Sequence, residues 1–94
     1  MRPYEATFIF QCSPDAIEKG KRLVSEILTK ASIKTTSEDD IGERRLAYKI
    51  NKQESGHYVL YNIESNPNKI HEVIQSSSLA TEVLKCFIVR KEDK

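Results

Sequence analysis

The hydrophobic spacing of the sequence changes several times, and these changes predict alternating strands and helices. Apolar residues at every second position are typical of a strand, because successive side chains point to opposite faces of a sheet. Apolar residues at helical spacing follow the first and the third predicted strand, and they predict one helix after each of these strands. The predicted strands cover residues 4–10, 33–50, 57–63 and 83–89.

Both predicted helices begin with a capping residue followed by proline. Ser13 and Asn66 are good N-cap residues. Pro14 and Pro67 suit the first turn, where the N–H that proline lacks has no helical partner. We expect the second helix to end at the serines of 76–78, because serine side chains compete for backbone hydrogen bonds.

Each of the three glycines predicts a local feature of the backbone. Gly20 inside the first helix costs about 1 kcal/mol relative to alanine, so we expect the helix to pack closely there. Gly42 permits a positive φ and predicts a bulge or bend within one long second strand. The polar segment 51–56 is expected to be a hairpin loop, in which Gly56 relieves a positive φ.

The order of elements predicts the fold class. Strand, helix, strand, strand, helix, strand is the α+β, ferredoxin-like β-α-β-β-α-β arrangement, with two helices on one face of a four-stranded antiparallel sheet. Right-handed crossovers place the first and third strands in the middle and the others at the edges. We expect a single domain over residues 1–94, with 90–94 as a short charged tail. The helix-free face should expose apolar side chains and serve as an interaction surface.

Composition excludes several classes of function. The chain has 94 residues, of which 38% are hydrophobic and 31% charged, and this suits a soluble globular domain. A net charge of +1 argues against tight RNA binding by the protein alone, which needs many phosphate contacts. No apolar run approaches the ~20 residues that span a bilayer. We therefore expect a cytoplasmic protein without a membrane contact or a secretory signal.

The residues that could carry chemistry do not form a recognisable catalytic or metal-binding pattern. Cys12 and Cys86 are isolated and far apart, which predicts reduced thiols and no metal site. His57 is expected to end a strand and His71 to lie at a helix rim. A glycine-rich phosphate loop and a nucleophile–base pair are both lacking. The sequence predicts no enzyme, no cofactor and no small-molecule substrate.

The charge changes sign at Gly42, after an acidic stretch that begins at Glu38. As a strand, residues 42–50 place Leu46, Tyr48 and Ile50 on one face, which we expect to be buried. The other face contains Arg45, Ala47 and Lys49. We interpret this basic face as a surface for a polyanion, although a merely solvated strand face is the alternative.

Four segments resemble one known family. They are Met1-Arg2-Pro3-Tyr4-Glu5, Gly42–Ile50 with Lys52, Gly56-His57-Tyr58, and 83–90. In order and spacing they are similar to the bacterial small-subunit ribosomal protein six family, and the Gly-x-Arg-x-Leu-Ala-Tyr-x-Ile segment is the most specific part. Lys49 stands where the family commonly has proline. The resemblance implies a structural ribosomal protein that binds the central domain of 16S ribosomal RNA together with ribosomal protein eighteen.

If the chain binds RNA as the resemblance implies, its cationic and aromatic side chains are the candidates for the contact. Arginine's planar fork suits phosphate oxygens, and such contacts position a protein without reading base sequence. The expected phosphate ligands are Arg2, Arg44, Arg45 and Lys49. Further contacts at the rim are expected from Lys85, Arg90 and Lys91. Candidates for packing against ribose or bases, with core packing as the alternative, are Tyr4, Tyr48 and Tyr61.

A second class of function stays open at this point. A small regulatory or dimerising module of the same fold could pair two copies through the bare apolar face. It would self-associate and have no affinity for RNA.

Overall fold

Four antiparallel strands form one sheet, and two helices pack on one of its faces. The computed structural model describes residues 2–50 and 52–91. The elements in chain order are β1 (Arg2–Phe10), α1 (Pro14–Lys30), β2 (Lys34–Ile50), β3 (Gln53–Ser65), α2 (Pro67–Ser78) and β4 (Val83–Arg90). The sheet order is β2-β3-β1-β4, so the predicted fold class, central strands and edge strands are confirmed. In the described part of the chain no helix is long and apolar enough to span a membrane.

The core lies between the helices and alternate residues of the two central strands. Phe8 and Phe10 of β1 are fully buried, and the Phe8 ring meets Tyr61 of β3 edge-on at 5.5 Å between ring centres. Val24 of α1 and Val73 of α2 close the core from the helix side. Side chains of this size typically stabilise a fold by about 2–5 kcal/mol each, judged by truncation to alanine.

The start of α1 is as predicted. Ser13 is the N-cap, and its Oγ accepts a hydrogen bond from the Ala16 N–H at 3.1 Å. Pro14 follows in the first turn, and Asp15 places a negative charge at the positive end of the helix dipole. Gly20 is buried, and a β-carbon there would lie 2.5 Å from Phe10 Cδ1. The close helix–sheet approach predicted for this glycine is therefore confirmed.

The prediction for α2 is wrong in two details. Asn66 occupies the N-cap position, but its side chain makes no capping hydrogen bond. The helix also continues through the serines to Ser78. Ser77 Oγ donates to the Val73 carbonyl at 2.8 Å, and Ser78 Oγ donates to the Gln75 carbonyl at 2.8 Å. These hydroxyls bond to the helix's own carbonyls and so do not disrupt it.

The bend predicted at Gly42 is present, but the predicted hairpin loop is not. Gly42 has φ = 95°, and the β2–β3 register shifts between Asp40 and Gly42. Ile50 already pairs with Gln53, so segment 51–56 is mostly strand rather than loop. The positive φ of this hairpin belongs to Lys52, at 67°, while residue 51 lies outside the described residues.

Gly56 has a packing role instead of the predicted turn role. It is buried within β3, where a β-carbon would lie 2.3 Å from Ile9 Cγ2. Ile9 is itself only 2% exposed and sits on the helix-free side of β1. The absence of a side chain at position 56 therefore makes room for Ile9.

We expect Gly56→Ala to destabilise the protein by about 1–3 kcal/mol, because a methyl group cannot be added beside Ile9 without moving a packed side chain. Urea unfolding measures this change. Ile9→Ala removes the obstructing carbon, so the double variant should lose less stability than the two single losses added together. Strict additivity would contradict the proposed contact.

Candidate nucleic-acid interface

A two-stranded arm projects beyond the rest of the sheet. Phe10 pairs with His57 at the end of β1, while β2 and β3 continue past this point. We call residues 43–50 and 52–56 the arm. Because β1 does not accompany it, the arm has solvent on more sides than an ordinary strand pair in this sheet.

The arm contains three of the predicted RNA-binding cations. Arg44, Arg45 and Lys49 are all exposed. None of them forms an ion pair with a carboxylate of the described residues. Arg44 Nη1 donates to the backbone carbonyl of Glu43 at 3.0 Å, and this holds one edge of its guanidinium against the strand. Such cations can meet phosphate without first breaking an internal salt bridge.

The predicted burial of one arm face is wrong. Tyr48 is 73% exposed, and Leu46 and Ile50 are only half-buried. The register shifts between Arg45 and Ile50, so the intervening residues bulge out of the ladder. The apolar alternation was right as a sign of a strand, but no helix packs over this part of β2.

Two of the three predicted tyrosines are core residues. Tyr4 is 8% exposed and Tyr61 is 3% exposed, so neither ring can stack on a base in this structure. Alternate residues of the central strands share the helix-covered face, which is why Tyr4 and Tyr61 enter the core together. Burial, with a smaller contribution from Glu38 and Asp40, raises the pKa of Tyr61 well above its usual range. Tyr48 remains available for stacking.

Three further predicted cations lie away from the arm, at the opposite end of β1. Arg2 pairs with Ser65, and the Lys91 N–H donates to the Pro3 carbonyl at 3.0 Å, both at the opposite end of β1. Arg90 pairs with Tyr4 at the same end. The length of β1 separates this group from the arm by roughly 25 Å at 3.3 Å per residue. The predicted basic set therefore forms two groups rather than one patch.

Lys85 lies at the arm end of β4, on the helix-free face of the sheet, where it pairs with Ile9 and lines a small cavity with Tyr48 of the arm. Its Nζ is 4.9 Å from the centre of the Phe87 ring, a cation–π contact. Phe87 and Val89 are 42% and 57% exposed on the same strand. Together with Tyr58 and Leu60 of β3, they give this face the partly apolar character that the sequence predicted.

Sequence reasoning missed a charged cluster at the base of the arm. Asp40 Oδ2 lies 2.7 Å from Lys21 Nζ of α1, and Asp40 Oδ1 lies 2.7 Å from His57 Nε2 of β3. Hydrogen bonds from Lys21 and then from His57 hold the pKa of Asp40 below its usual value. Helical and strand spacing alone do not reveal which residues of three separate elements meet, so no local signal pointed to this cluster.

The two cysteines are free thiols, as predicted. Cys12 Sγ lies 3.7 Å from Ser55 Oγ, at the side of the arm. Burial raises the pKa of Cys86 to about 12, so its thiol stays protonated and unreactive at neutral pH. Among residues 2–50 and 52–91, no group of three or more histidine, cysteine or acidic side chains is placed to hold a metal ion.

The fold and its exposed surfaces define a class of protein: a small α+β domain with a cationic arm and a partly apolar sheet face. A family model described as ribosomal protein S6 matches residues 3–90. Small ribosomal subunit protein bS6 of Treponema denticola is 38% identical over 93 residues, covering 99% of this chain and 100% of that protein. The bS6 protein of an Exiguobacterium species is 33% identical over 96 residues, covering 98% of this chain and 99% of that protein.

Solved structures agree at the level of the fold. The crystal structure of 30S ribosomal protein S6 from Thermotoga maritima matches with a TM-score of 0.81 and 24% identity, covering 96% of this chain and 87% of that one. The C-terminal domain of the MgtC protein from Mycobacterium tuberculosis matches with a TM-score of 0.67 at 14% identity, which shows a shared fold alone.

The chain belongs to the ribosomal protein S6 family. Members of this family are structural, non-enzymatic constituents of the bacterial small ribosomal subunit. The resemblance read from the sequence is thereby confirmed. A place in the cytoplasmic ribosome follows from the same relatives.

The lowered pKa of Asp40 predicts a small loss of stability in acid. A carboxylate whose pKa is lower in the folded state stabilises the fold above its ordinary value of 3.8, and this stabilisation disappears as the pH falls through the lower, folded value. The side chain is 42% exposed, so solvent screening limits the effect to about 0.2–1 kcal/mol.

Urea unfolding of the unchanged protein and of Asp40→Asn, from neutral pH down to about pH 3, measures this effect. The difference in unfolding free energy should be present at neutral pH and should shrink below the ordinary carboxyl pKa. Asp39→Asn is the matched control and should show a flat difference, because Asp39 makes no ion pair in the described part of the chain. A difference for Asp40→Asn that persists undiminished in acid would contradict the assignment.

Proposed function

We propose that this chain binds the central domain of 16S ribosomal RNA together with ribosomal protein eighteen. The main support for an RNA contact is the set of cations on the arm. Arg44, Arg45 and Lys49 are exposed and form no ion pair within the described residues. Arginine and lysine side chains of this kind meet phosphate oxygens and fix the register of a protein on RNA. Tyr48, exposed among these cations, adds a ring for stacking.

The second basic group extends this proposed contact. Arg2, Arg90 and Lys91 would meet the RNA backbone at the other end of β1, while Lys85 pairs with Ile9 at the arm end of that strand. Contacts spread over this length suit a folded RNA better than a short single strand. The proposal therefore concerns the shape of the RNA backbone and not a base sequence.

The need for a protein partner follows from the charge. A net charge of +1 gives a weak overall field, so only local contacts draw this protein to RNA. We assign the partner to the helix-free face, where Phe87 and Val89 remain partly exposed. Covering such side chains removes apolar surface from water and so favours association, against the cost of ordering both partners.

The RNA proposal is tested by titrating a central-domain fragment of 16S ribosomal RNA with the protein, with and without ribosomal protein eighteen, at several salt concentrations. Tight binding should require the partner. The double change Arg44→Ala and Arg45→Ala should weaken it and reduce the magnitude of the salt slope by about two, one for each cation removed.

The matched control for charge is the pair Lys19→Ala and Lys30→Ala, which removes two exposed cations from α1. This control should change the RNA affinity much less than the change in the arm. An equal loss in both double variants would mean that only net charge matters, and the arm would then not be the binding site.

The partner surface has its own test. Phe87→Ser with Val89→Ser should abolish the gain in RNA affinity that the partner confers, and calorimetry should show a weakened protein–protein complex. Leu79→Ser is the matched control, because Leu79 is an apolar residue that is 86% exposed at the end of α2 and does not belong to a strand of the sheet. Sedimentation of the unchanged protein as a homodimer, with no RNA affinity under either condition, would instead support the dimerising module.

A further inference from the structure

The base of the arm is held by one carboxylate that reaches two elements at once. Asp40 of β2 uses Oδ2 for Lys21 of α1 and Oδ1 for His57 of β3, each at 2.7 Å. Both oxygens are therefore engaged. The contact ties the base of the arm to a helix and to the central part of the sheet together.

This cluster sits at the point where the arm could change its direction. His57 is the β3 residue nearest the arm that still has a β1 partner, namely Phe10. Gly42, two residues after Asp40, has φ = 95° and accompanies a break in the β2–β3 register. A bulge bends and twists its strand locally, so the angle of the arm depends on what fixes the residues beside it.

The arm also meets the body of the protein on the helix-free side, where Leu46, Tyr48 and Ile50 line a small cavity together with Ile9 and Phe87. The polar contacts of the arm are few. Ser55 Oγ donates to Glu43 Oε2 at 3.0 Å, but both residues belong to the arm. The 3.7 Å approach of Cys12 Sγ to Ser55 Oγ is a weak hydrogen bond, since sulfur is a poor partner. Gly56 packs on Ile9 from the helix-free side. On the helix side, Asp40 forms a salt bridge with Lys21 Nζ and lies 2.7 Å from His57 Nε2.

We propose that Asp40, through Lys21 and His57, is a positioning residue that fixes the direction of the arm and so places its cations for phosphate. This inference rests on the proposed RNA-binding function. Asp40 would not touch RNA itself. It would restrict the motion of the arm in the free protein, so that less conformational entropy is lost when RNA binds.

The decisive variant is Asp40→Asn, because two effects on RNA affinity have opposite signs. Removing a negative charge from a protein that binds a polyanion should by itself strengthen binding. Asparagine has a single side-chain oxygen and cannot accept from Lys21 and His57 in the same way. Loss of positioning should therefore weaken RNA binding, by about threefold to tenfold for two partly exposed contacts.

Asp39→Asn is the matched control for charge. It removes the same charge from the neighbouring residue, which is exposed and has no ion pair within the described residues. Binding should stay equal or become slightly tighter. Both variants are titrated with the same RNA fragment and partner, below the onset of unfolding of either variant.

A second readout tests the positioning without RNA. Backbone ¹⁵N order parameters of residues 43–50 in the free protein should fall in Asp40→Asn and stay unchanged in Asp39→Asn, while those of β1 should not change in either variant. A general loss of stability would instead affect the whole sheet.

The possible results separate the two proposals. Weaker binding and a looser arm in Asp40→Asn alone would support the positioning role. Equal or tighter binding in Asp40→Asn, an equal loss in Asp39→Asn, or an unchanged arm would each overturn it. If the unchanged protein binds no RNA even with the partner, the proposed function itself fails. The order parameters then still decide whether Asp40 holds the arm.

Discussion

Two neighbouring residues at the end of β1 are buried on opposite faces of the sheet, and each requires a glycine. Phe10 is fully buried beneath α1, where Gly20 leaves space for its ring. Ile9 is 2% exposed on the other face, where Gly56 leaves space for its branched side chain. Dense packing of this kind tolerates little change in volume. The distance of α1 from the sheet and the position of β3 beside β1 therefore depend on the space that these two glycines leave.

The arm begins where this packing ends. Beyond the pair of Phe10 and His57, β2 and β3 have no β1 beside them. Their alternating apolar residues consequently lose the cover that alternation normally indicates, and Tyr48 stands mostly in solvent. A sequence pattern that conflicts with its environment in this way is expected at a functional site rather than in a structural strand. The arm thus owes its exposure to the length difference between the strands.

Much of the fold was accessible from the sequence because its signals are local. The period-two segments and the Ser13 cap depend on neighbours within one turn or one strand, and Gly20 stands out as a glycine inside a helical pattern. The strand order followed from the handedness of crossovers. The register of the strands could not be predicted. The tight hairpin at Lys52 and the role of Gly56 depend on which residues of two strands lie opposite each other. The prediction that the serines end α2 was wrong for another reason, because their hydroxyls donate to carbonyls of the same helix.

The candidate site was predictable in composition but not in arrangement. Cations at 44, 45 and 49 are visible in the sequence, whereas the burial of Tyr4 and Tyr61 depends on which face the helices cover. The Asp40 cluster joins three elements and has no sequence signature at all. Within the acidic stretch, Asp40 faces α1 and pairs there with Lys21, so this one carboxylate is compensated by a cation of the helix and not by a cation of the arm.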